Sequence, residues 1–553
     1  MVISKENIDV EVCGKIVPFA ANVQEQIMWQ HMPAFTLRVS GTSVVSLSLM
    51  SYVTAWQWLS WNIVSVVLMF AVTQTLVLIS LTVILNWSRA IPHYTPIPHG
   101  AEIPLGVVVV TAGEPVSFLE NTLRSVLECW PHHLLRIVVG DDAIHFNKPH
   151  AKKVRELVEK LAEEFPQVRM HYYNAPHKSD PRRKGDAKAG NQNACVAFLT
   201  SLYHEVEYLD LRDMDDRVGD REFFYHALGF LKAHSHVGYV QSTKVCQVSK
   251  GDPFANNEEV FYRVLQQAKN LVGWVLACGS GLVVRVEMLK SIGGLPARGP
   301  VEDLELSLWA TGNGWRGVYL PLIGADGQIA PEDTPNHFKQ RGTWALDTVR
   351  LLVYGFTFQI KLTIWQKLAW FELLLSYTHS LSLVVYLITP VVVSLLNIEI
   401  FRPGAPTFLF VLMAAAVEGW LVIFAKGYYR EMWVSRIATV ALIPAYLRGM
   451  WLGLTYYSEP VPYKVTRKSK EAGWYLRETM GMYVLFGLLV LASVKSVLGN
   501  GDSVTTIFSV YASVLVGAAL RLTWFGYGFS REKKGLLWVL PLAVAAFAVG
   551  FLL

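Results

Sequence analysis

Charge is what this chain has least of. Of its 553 residues, 17% are Asp, Glu, Lys or Arg, against roughly a quarter in a soluble globular protein. The shortage is uneven: charges crowd into residues 98–345 and thin out on both sides. Cysteine is scarce too. Cys13, Cys129, Cys195, Cys246 and Cys278 are scattered and make no CxxC pair, which argues against a structural zinc site and a disulfide framework and places the polar stretch in a reducing compartment. The net charge of +5 is small for this length and gives no case for a nucleic-acid partner. No signal-peptide profile is expected, because Lys5, Glu6, Asp9 and Glu11 precede any apolar run.

What the chain has instead is long uncharged runs. Residues 39–88 carry no charged side chain. About 20 residues span a bilayer core, so this run predicts two helices with a turn around Trp56–Asn62, where Trp58 and Trp61 suit the interface. Residues 373–398 and 405–425 predict two more spans, with Glu418 the only charge in the second. Residues 434–457 read as an interfacial helix, since Arg436 and Arg448 interrupt the run and Pro444 breaks it. A charge in mid-membrane costs about 2.5 kcal/mol or more, and a helix lying in the interface avoids that cost. Spans at 479–498, 503–521 and 535–553 complete an expected total of seven. Basic loops then put the polar region and residues 458–478 in the cytoplasm and the C-terminus outside. Three parts follow: residues 1–97 with two spans, a polar domain at 98–345, and residues 346–553 with interfacial helices and five spans. The chain ends at Leu553, so no further regulatory domain is expected in cis.

The polar domain opens on Leu105–Val110, an apolar strand of the kind buried on both faces of a parallel sheet. An apolar-periodic helix at Leu119–Leu127 and a strand Leu135–Gly140 follow, the latter running directly into Asp141-Asp142. This β-α-β order predicts an α/β sheet that binds a ligand at its carboxyl ends. A helix at about 152–164 and a strand from Val168 to Tyr173 extend it.

Four short signatures punctuate the domain: Asp141-Asp142, Asp213-Met214-Asp215-Asp216, Glu302-Asp303 and Gln340-Arg341-Gly342-Thr343-Trp344. Asp213 and Asp215, one residue apart after a strand expected to end at Leu211, would share a face in extended chain. Two carboxylates that close repel unless a cation lies between them, as Mg2+ or Mn2+ would while also holding diphosphate oxygens. Lys188, in Ala187-Lys188-Ala189-Gly190-Asn191, can neutralise phosphate or simply open a helix. Glu302-Asp303 follows a Gly/Pro-rich loop, where a carboxylate can take a proton from a hydroxyl or cap the helix that begins at Leu304.

Taken together, their order and spacing resemble processive family 2 glycosyltransferases of the cellulose synthase and curdlan synthase kind, over residues 98–345 and into the membrane part. The resemblance implies a GT-A-type α/β glycosyltransferase domain inserted in an α-helical polytopic membrane protein. It implies donor-binding roles for Thr111, Glu114, Asp141, Lys188, Asp213 and Arg341, a metal ligand in Asp215, and a general base in Asp303. Cys278, Gly279, Glu302, Gln340 and Trp344 would face the acceptor. Tyr463-Lys464-Val465-Thr466-Arg467-Lys468 is similar to the family's FxVTxK gating loop, within a cytoplasmic segment at about 459–475, and there Thr466 and Lys468 would close over the diphosphate. The chain departs from the pattern at Val301, where the T-E-D motif has Thr, and at Thr343, where QxxRW has Arg; Arg341 would substitute. The activity implied is inverting, processive polymerisation of glucose from UDP-glucose into a β-glucan. Mg2+ or Mn2+ would assist, and the polymer would pass through the protein's own channel in the plasma (inner) membrane, lined by residues such as Tyr377, His379, Ser380 and Ser382. The attacking hydroxyl, at carbon 3 or carbon 4, stays open. A non-processive enzyme acting on a lipid acceptor is the alternative.

Overall fold

Valine-rich sequence dictates the centre of the molecule. Leu105–Thr111 is buried along its whole length, and it is an interior strand of a seven-stranded sheet, as strands without a polar face must be. The computed structural model describes residues 9–12, 15–18, 28–31, 35–185, 187–248, 254–256, 258–296, 299–331, 333–353, 361–406, 408–425, 427–456, 476–499 and 503–524. The gating-loop segment with Tyr463, Thr466 and Lys468 and the expected span at 535–553 lie outside the described residues.

Strands are numbered in chain order. Two pair as an N-terminal hairpin, β1 (Asp9–Val12) with β2 (Lys15–Pro18), and β3 (Met28–His31) pairs with β4 (Ala90–His93). The large sheet contains β5 (Leu105–Thr111), β6 (Leu135–Asp141), β7 (Arg169–Tyr173), β8 (Tyr208–Asp213), β9 (Val237–Gln247), β10 (Leu282–Arg285) and β11 (Arg316–Ile329), in the order β11-β9-β10-β8-β5-β6-β7. All neighbours are parallel except β10, which runs against both β8 and β9. From β5 the chain builds outward to β6 and β7, then crosses back to β8 on the other side. That reversal opens a crevice beyond the carboxyl ends of β5, β6 and β8. The register places Thr111 beside Asp141 and Val110 beside Asp213 at its edge. β8 runs on to Asp213 rather than ending at Leu211, and Met214 and Asp215 form the turn after it.

The described apolar runs are helical. α1 (Phe35–Trp58) and α2 (Ile63–Leu85) form the expected hairpin; Asn62 caps α2 by accepting the Ser65 N–H at 3.0 Å. Arg38 donates to the Trp87 carbonyl at 3.1 Å, so the hairpin returns to its starting side. The domain helices are α3 (Val116–Cys129), α4 (Lys148–Glu164), α5 (Ala187–Leu202), α6 (Phe223–Ala233), α7 (Gln266–Val272), α8 (Val286–Ile292), α9 (Glu302–Gly312) and α10 (Thr334–Val353). The remaining helices are α11 (Ile364–Leu396), α12 (Phe408–Phe424), α13 (Tyr429–Ala441), α14 (Ile443–Thr455), α15 (Leu476–Leu498) and α16 (Ser503–Thr523).

Among the described residues four helices are long and apolar enough to cross a membrane: Ile63–Leu85, Ile364–Leu396, Glu478–Leu498 and Val504–Thr523. α13 and α14, bent by 62°, make a fifth if they count as one span. The expected seven differ on three points. α1 is long enough but rich in hydroxyls, and Ser40, Thr42 and Ser43 bond back to carbonyls one turn earlier; α12 is apolar but only 17 residues long; and residues 535–553 are not described. α11, by contrast, is 33 residues long, about 50 Å at 1.5 Å per residue. It begins before the uncharged run, and its Glu372 pairs with Lys269 of α7, tying the α/β domain to the longest membrane helix.

The helix expected within 434–457 is instead the pair α13 and α14, with Pro444 in the first turn of α14, where its missing N–H costs nothing. Arg436 carries less penalty than its place in the run suggests. Its guanidinium lies 2.7 Å from Glu418, the single charge of α12, which also accepts the Tyr429 hydroxyl at 2.9 Å.

Candidate active site

The strand ends deliver the first carboxylates. Asp213 closes β8, and its backbone N–H meets the Ser280 hydroxyl at 3.3 Å. The α5 N-terminus brings Lys188 across the crevice, where its Nζ lies 2.8 Å from Asp213 Oδ1 and 3.0 Å from Glu302 Oε1. Burial opposes the charge on Lys188, but Asp213, Glu302 and Asp303 outweigh it and hold the amine charged well above its usual range. Signatures 89 residues apart in sequence, Asp213 and Glu302, are thus bridged by one ammonium.

Asp303 lies in the first turn of α9. Its Oδ1 accepts the Leu304 N–H at 2.8 Å. A side chain at Gly279 would run into Asp303 Oδ2 and Lys188 Nζ, and Gly279 itself adopts a left-handed φ of 73°. Glycine is the residue that allows this backbone to approach so closely. Burial, then Glu302, push the Asp303 carboxyl up to about 7, against the pull of Lys188, Lys244 and the Leu304 N–H. A carboxyl poised there is suited to accept a proton near neutral pH.

A second ammonium was not legible from the sequence. Lys244, in the middle of β9, is 6% exposed. Its Nζ stands 3.9 Å from Asp213, 3.5 Å from Asp216 and 3.1 Å from the Cys278 carbonyl. Asp213 and Asp215 both face the crevice. Asp216 is fully buried behind them, and its carboxyl is raised by that burial, with Lys244 opposing. Among the described residues no group of three or more His, Cys, Asp and Glu forms an all-protein metal site. Two cavity-facing carboxylates nonetheless fit a hard divalent cation that takes its other oxygens from diphosphate and water.

Other expected donor residues are arranged differently. Asp141 is fully buried: its oxygens accept the Ala143 N–H at 2.7 Å and the Tyr172 hydroxyl at 3.1 Å, and it does not reach the cavity wall. Asp142 does reach it, held by both guanidinium nitrogens of Arg183 at 2.7 and 2.8 Å. Thr111 and Glu114 line the wall and bond to each other at 3.0 Å. Arg341 is engaged by Glu258 and stacks 4.3 Å from the Trp344 ring centroid. Thr343, at the position where the QxxRW motif has Arg, donates to the Lys339 carbonyl within α10. Arg183, Lys244 and Glu258 escaped sequence reading because each stands outside any motif.

Lys188, Asp213, Lys244, Glu302 and Arg341 border one cavity of about 3200 Å³. Asp215, Cys278, Asp303, Gln340 and Trp344 lie on its wall, which continues along α11 through Tyr377, His379 and Tyr386. Ser380 and Ser382, expected there too, are not on the wall. They lie on another face of α11, and Ser382 bonds to Gln74 of α2.

The profile of glycosyl transferase family group 2 matches residues 211–452, spanning Asp213, Asp303 and Trp344. Over that stretch the chain is similar to family 2 glycosyltransferases. The cellulose synthase catalytic subunit (UDP-forming) of Pseudomonas fluorescens is 24% identical over 480 residues, covering 84% of this chain and 59% of that protein. The corresponding subunit of Xanthomonas axonopodis pv. citri is 26% identical over 251 residues, covering 43% of this chain and 30% of that protein. The chain therefore spans 59% and 30% of the length of these two relatives. Among solved structures, a mannosyltransferase from Pyrobaculum calidifontis in complex with GDP-Man and Mn2+ aligns at 16% identity with a TM-score of 0.45, covering 76% of this chain and 99% of that one. The chain is thus similar to cellulose synthase catalytic subunits, and its α/β domain is set among helices apolar and long enough to cross a membrane.

Proposed function

We propose that this glycosyltransferase polymerises glucose from UDP-glucose into a β-glucan and threads the product through its own membrane helices. The observation that carries this reading is the continuity of the cavity. It starts at Asp215, Asp303 and Trp344 and follows α11 to Ser394, Asn397 and the loop around Arg402. That loop packs on the turn between α1 and α2, where Ser60 donates to the Ile400 carbonyl and Arg402 to that of Trp58. It thus lies at the end of the helical bundle away from the sheet. The cavity wall mixes Tyr377, His379, Thr389 and Ser394 with apolar side chains such as Leu383, Leu387 and Val393, and the length of the path is what favours a growing polymer over a single transfer.

In the proposed reaction the terminal hydroxyl of the growing chain gives its proton to Asp303. Its oxygen attacks the anomeric carbon of the donor from the face opposite UDP, so a single displacement turns α into β. Lys188 and Lys244 lie where charge builds on the leaving diphosphate. Mg2+ or Mn2+ held by Asp215 with Asp213 would supply further electrostatic stabilisation there. Trp344 offers an apolar ring to the acceptor sugar, and Cys278, Gly279, Glu302 and Gln340 border the same place. Thr111, Glu114 and Asp142 border the nucleotide end, with Asp141 behind them. Thr466 and Lys468 belong to the proposed gating loop. The proposed setting is the plasma membrane, with the α/β domain in the cytoplasm.

The test incubates the purified protein with UDP-glucose and Mg2+ or Mn2+, then digests the product with linkage-specific glucanases and measures its length. Long β-glucan is expected from the parent. Asp303→Asn is expected to lose transfer at least about a thousandfold while still binding UDP. One or two sugars added to lipid would establish the lipid-acceptor reading instead.

A further inference from the structure

The helix that carries Glu302 and Asp303 starts without a side-chain cap. Val301 occupies the N-cap position and offers no oxygen where Ser, Thr, Asp or Asn would bond the first free N–H groups. Two carboxylates serve instead. Asp303 turns Oδ1 back onto the Leu304 N–H, which leaves Oδ2 on the side of Gly279 and Lys188. The second carboxylate comes from another helix. Asp347 lies on α10, three residues past Trp344, and is fully buried. Its Oδ2 accepts the Val301 N–H at 3.1 Å. It also packs so tightly on Gly299 that a Cβ there would overlap both carboxylate oxygens. A buried carboxylate is costly unless its surroundings use it, and here it sits at a helix N-terminus, where a negative charge or an acceptor is favourable.

We propose that Asp347 is a positioning residue for sugar transfer: by pinning the Gly299–Val301 turn to α10, it fixes the start of α9 and aims Asp303 Oδ2 into the cavity. The base and the acceptor-facing side chains Gln340 and Trp344 then move as one unit, although 37 residues separate Asp303 from Gln340 in the chain. The proposal rests on the reading of Asp303 as the base. The charged groups facing Asp347 are Glu305 and Asp303 on α9 and Arg350 on α10. Burial and then Glu305 raise its carboxyl well above the usual range, while Arg350 and the Val301 N–H pull it down. What α9 needs from it is an acceptor oxygen.

The test measures UDP release and sugar transfer from UDP-glucose by the purified full chain, together with UDP affinity and Tm. Asp347→Ala is expected to lower kcat about tenfold or more, because small misplacements of a reacting group are expensive, with the donor KM and UDP affinity held within about twofold. Asp347→Asn keeps an acceptor oxygen and is expected to stay within about threefold of the parent. Val301→Thr, which adds a capping hydroxyl, is expected to recover part of the Asp347→Ala loss. Parent-like kcat in Asp347→Ala overturns the proposal. So does an Asp347→Asn protein that binds UDP normally but has lost kcat about tenfold, and this variant decides the matter if the alanine protein does not fold. Asp303→Asn, assayed alongside, separates the two claims. Transfer retained there removes the base itself; transfer lost there but intact in Asp347→Ala removes only the role of Asp347.

Discussion

An ordinary carboxyl would be ionised throughout the physiological range, whereas burial and Glu302 hold Asp303 at about 7. A general base works only when deprotonated, so kcat/KM should rise with pH through that value. Neutralising Glu302 removes a contribution that raises the Asp303 pKa. The acid limb of the Glu302→Gln profile should therefore move to lower pH, with activity at pH 6 gaining relative to pH 8. A limb that stays in place or moves up would show that the field of Glu302 does not reach the base. Residue-level reading of the sequence was strongest where a motif clusters charge, as at Asp213-Met214-Asp215 and Glu302-Asp303. It could not find Lys244, Arg183, Glu258 or Asp347, which stand outside any of the four signatures and are brought to the site only by folding. The resemblance implied a donor-binding role for Asp141; the end of β6 turns that side chain toward Tyr172, and it is Asp142 that lies on the cavity wall.

Helix α10 carries the fourth signature, and α14 decides where that helix sits. Gly449 and Gly453 of α14 face α10 so closely that a Cβ on Gly449 would meet the Gly342 carbonyl, and one on Gly453 the Leu346 carbonyl. Small residues four apart are how helices approach backbone to backbone. Gly449→Leu should force the helices apart and carry Arg341 and Trp344 with α10. A stability loss of about 1–3 kcal/mol is expected from the overpacking, read as a fall in Tm, along with product yield down about tenfold. Unchanged Tm and yield would show that this packing does not hold the motif. The sequence hinted at this element through Pro444, which broke the run at 434–457, but periodicity could not say which helix it would pack on. Nor could it pair Arg436 with Glu418, since the cost of each charge was weighed alone.

For the whole molecule, the cavity joins chemistry to membrane. Val393 lies on its wall in the far half of α11. A bulky side chain there should obstruct a polymer but not the first transfer, which occurs at the other end. Val393→Trp is therefore expected to shorten the product severalfold while initial UDP release stays within about twofold of the parent. Full-length product would show that the polymer leaves by another route. By itself the sequence determined the layout. Depletion of charge marked the apolar helices, and an unbroken valine strand required a sheet covered on both faces. Carboxylates at strand ends marked the crevice, because these signals are local and follow from chain periodicity and the cost of burying charge. Only the tertiary structure decided which charges neutralise one another, that one ammonium joins Asp213 to Glu302, and that α11 is long enough to anchor in the α/β domain and still line the cavity. Those outcomes depend on distances between residues far apart in the chain, and no local pattern encodes them.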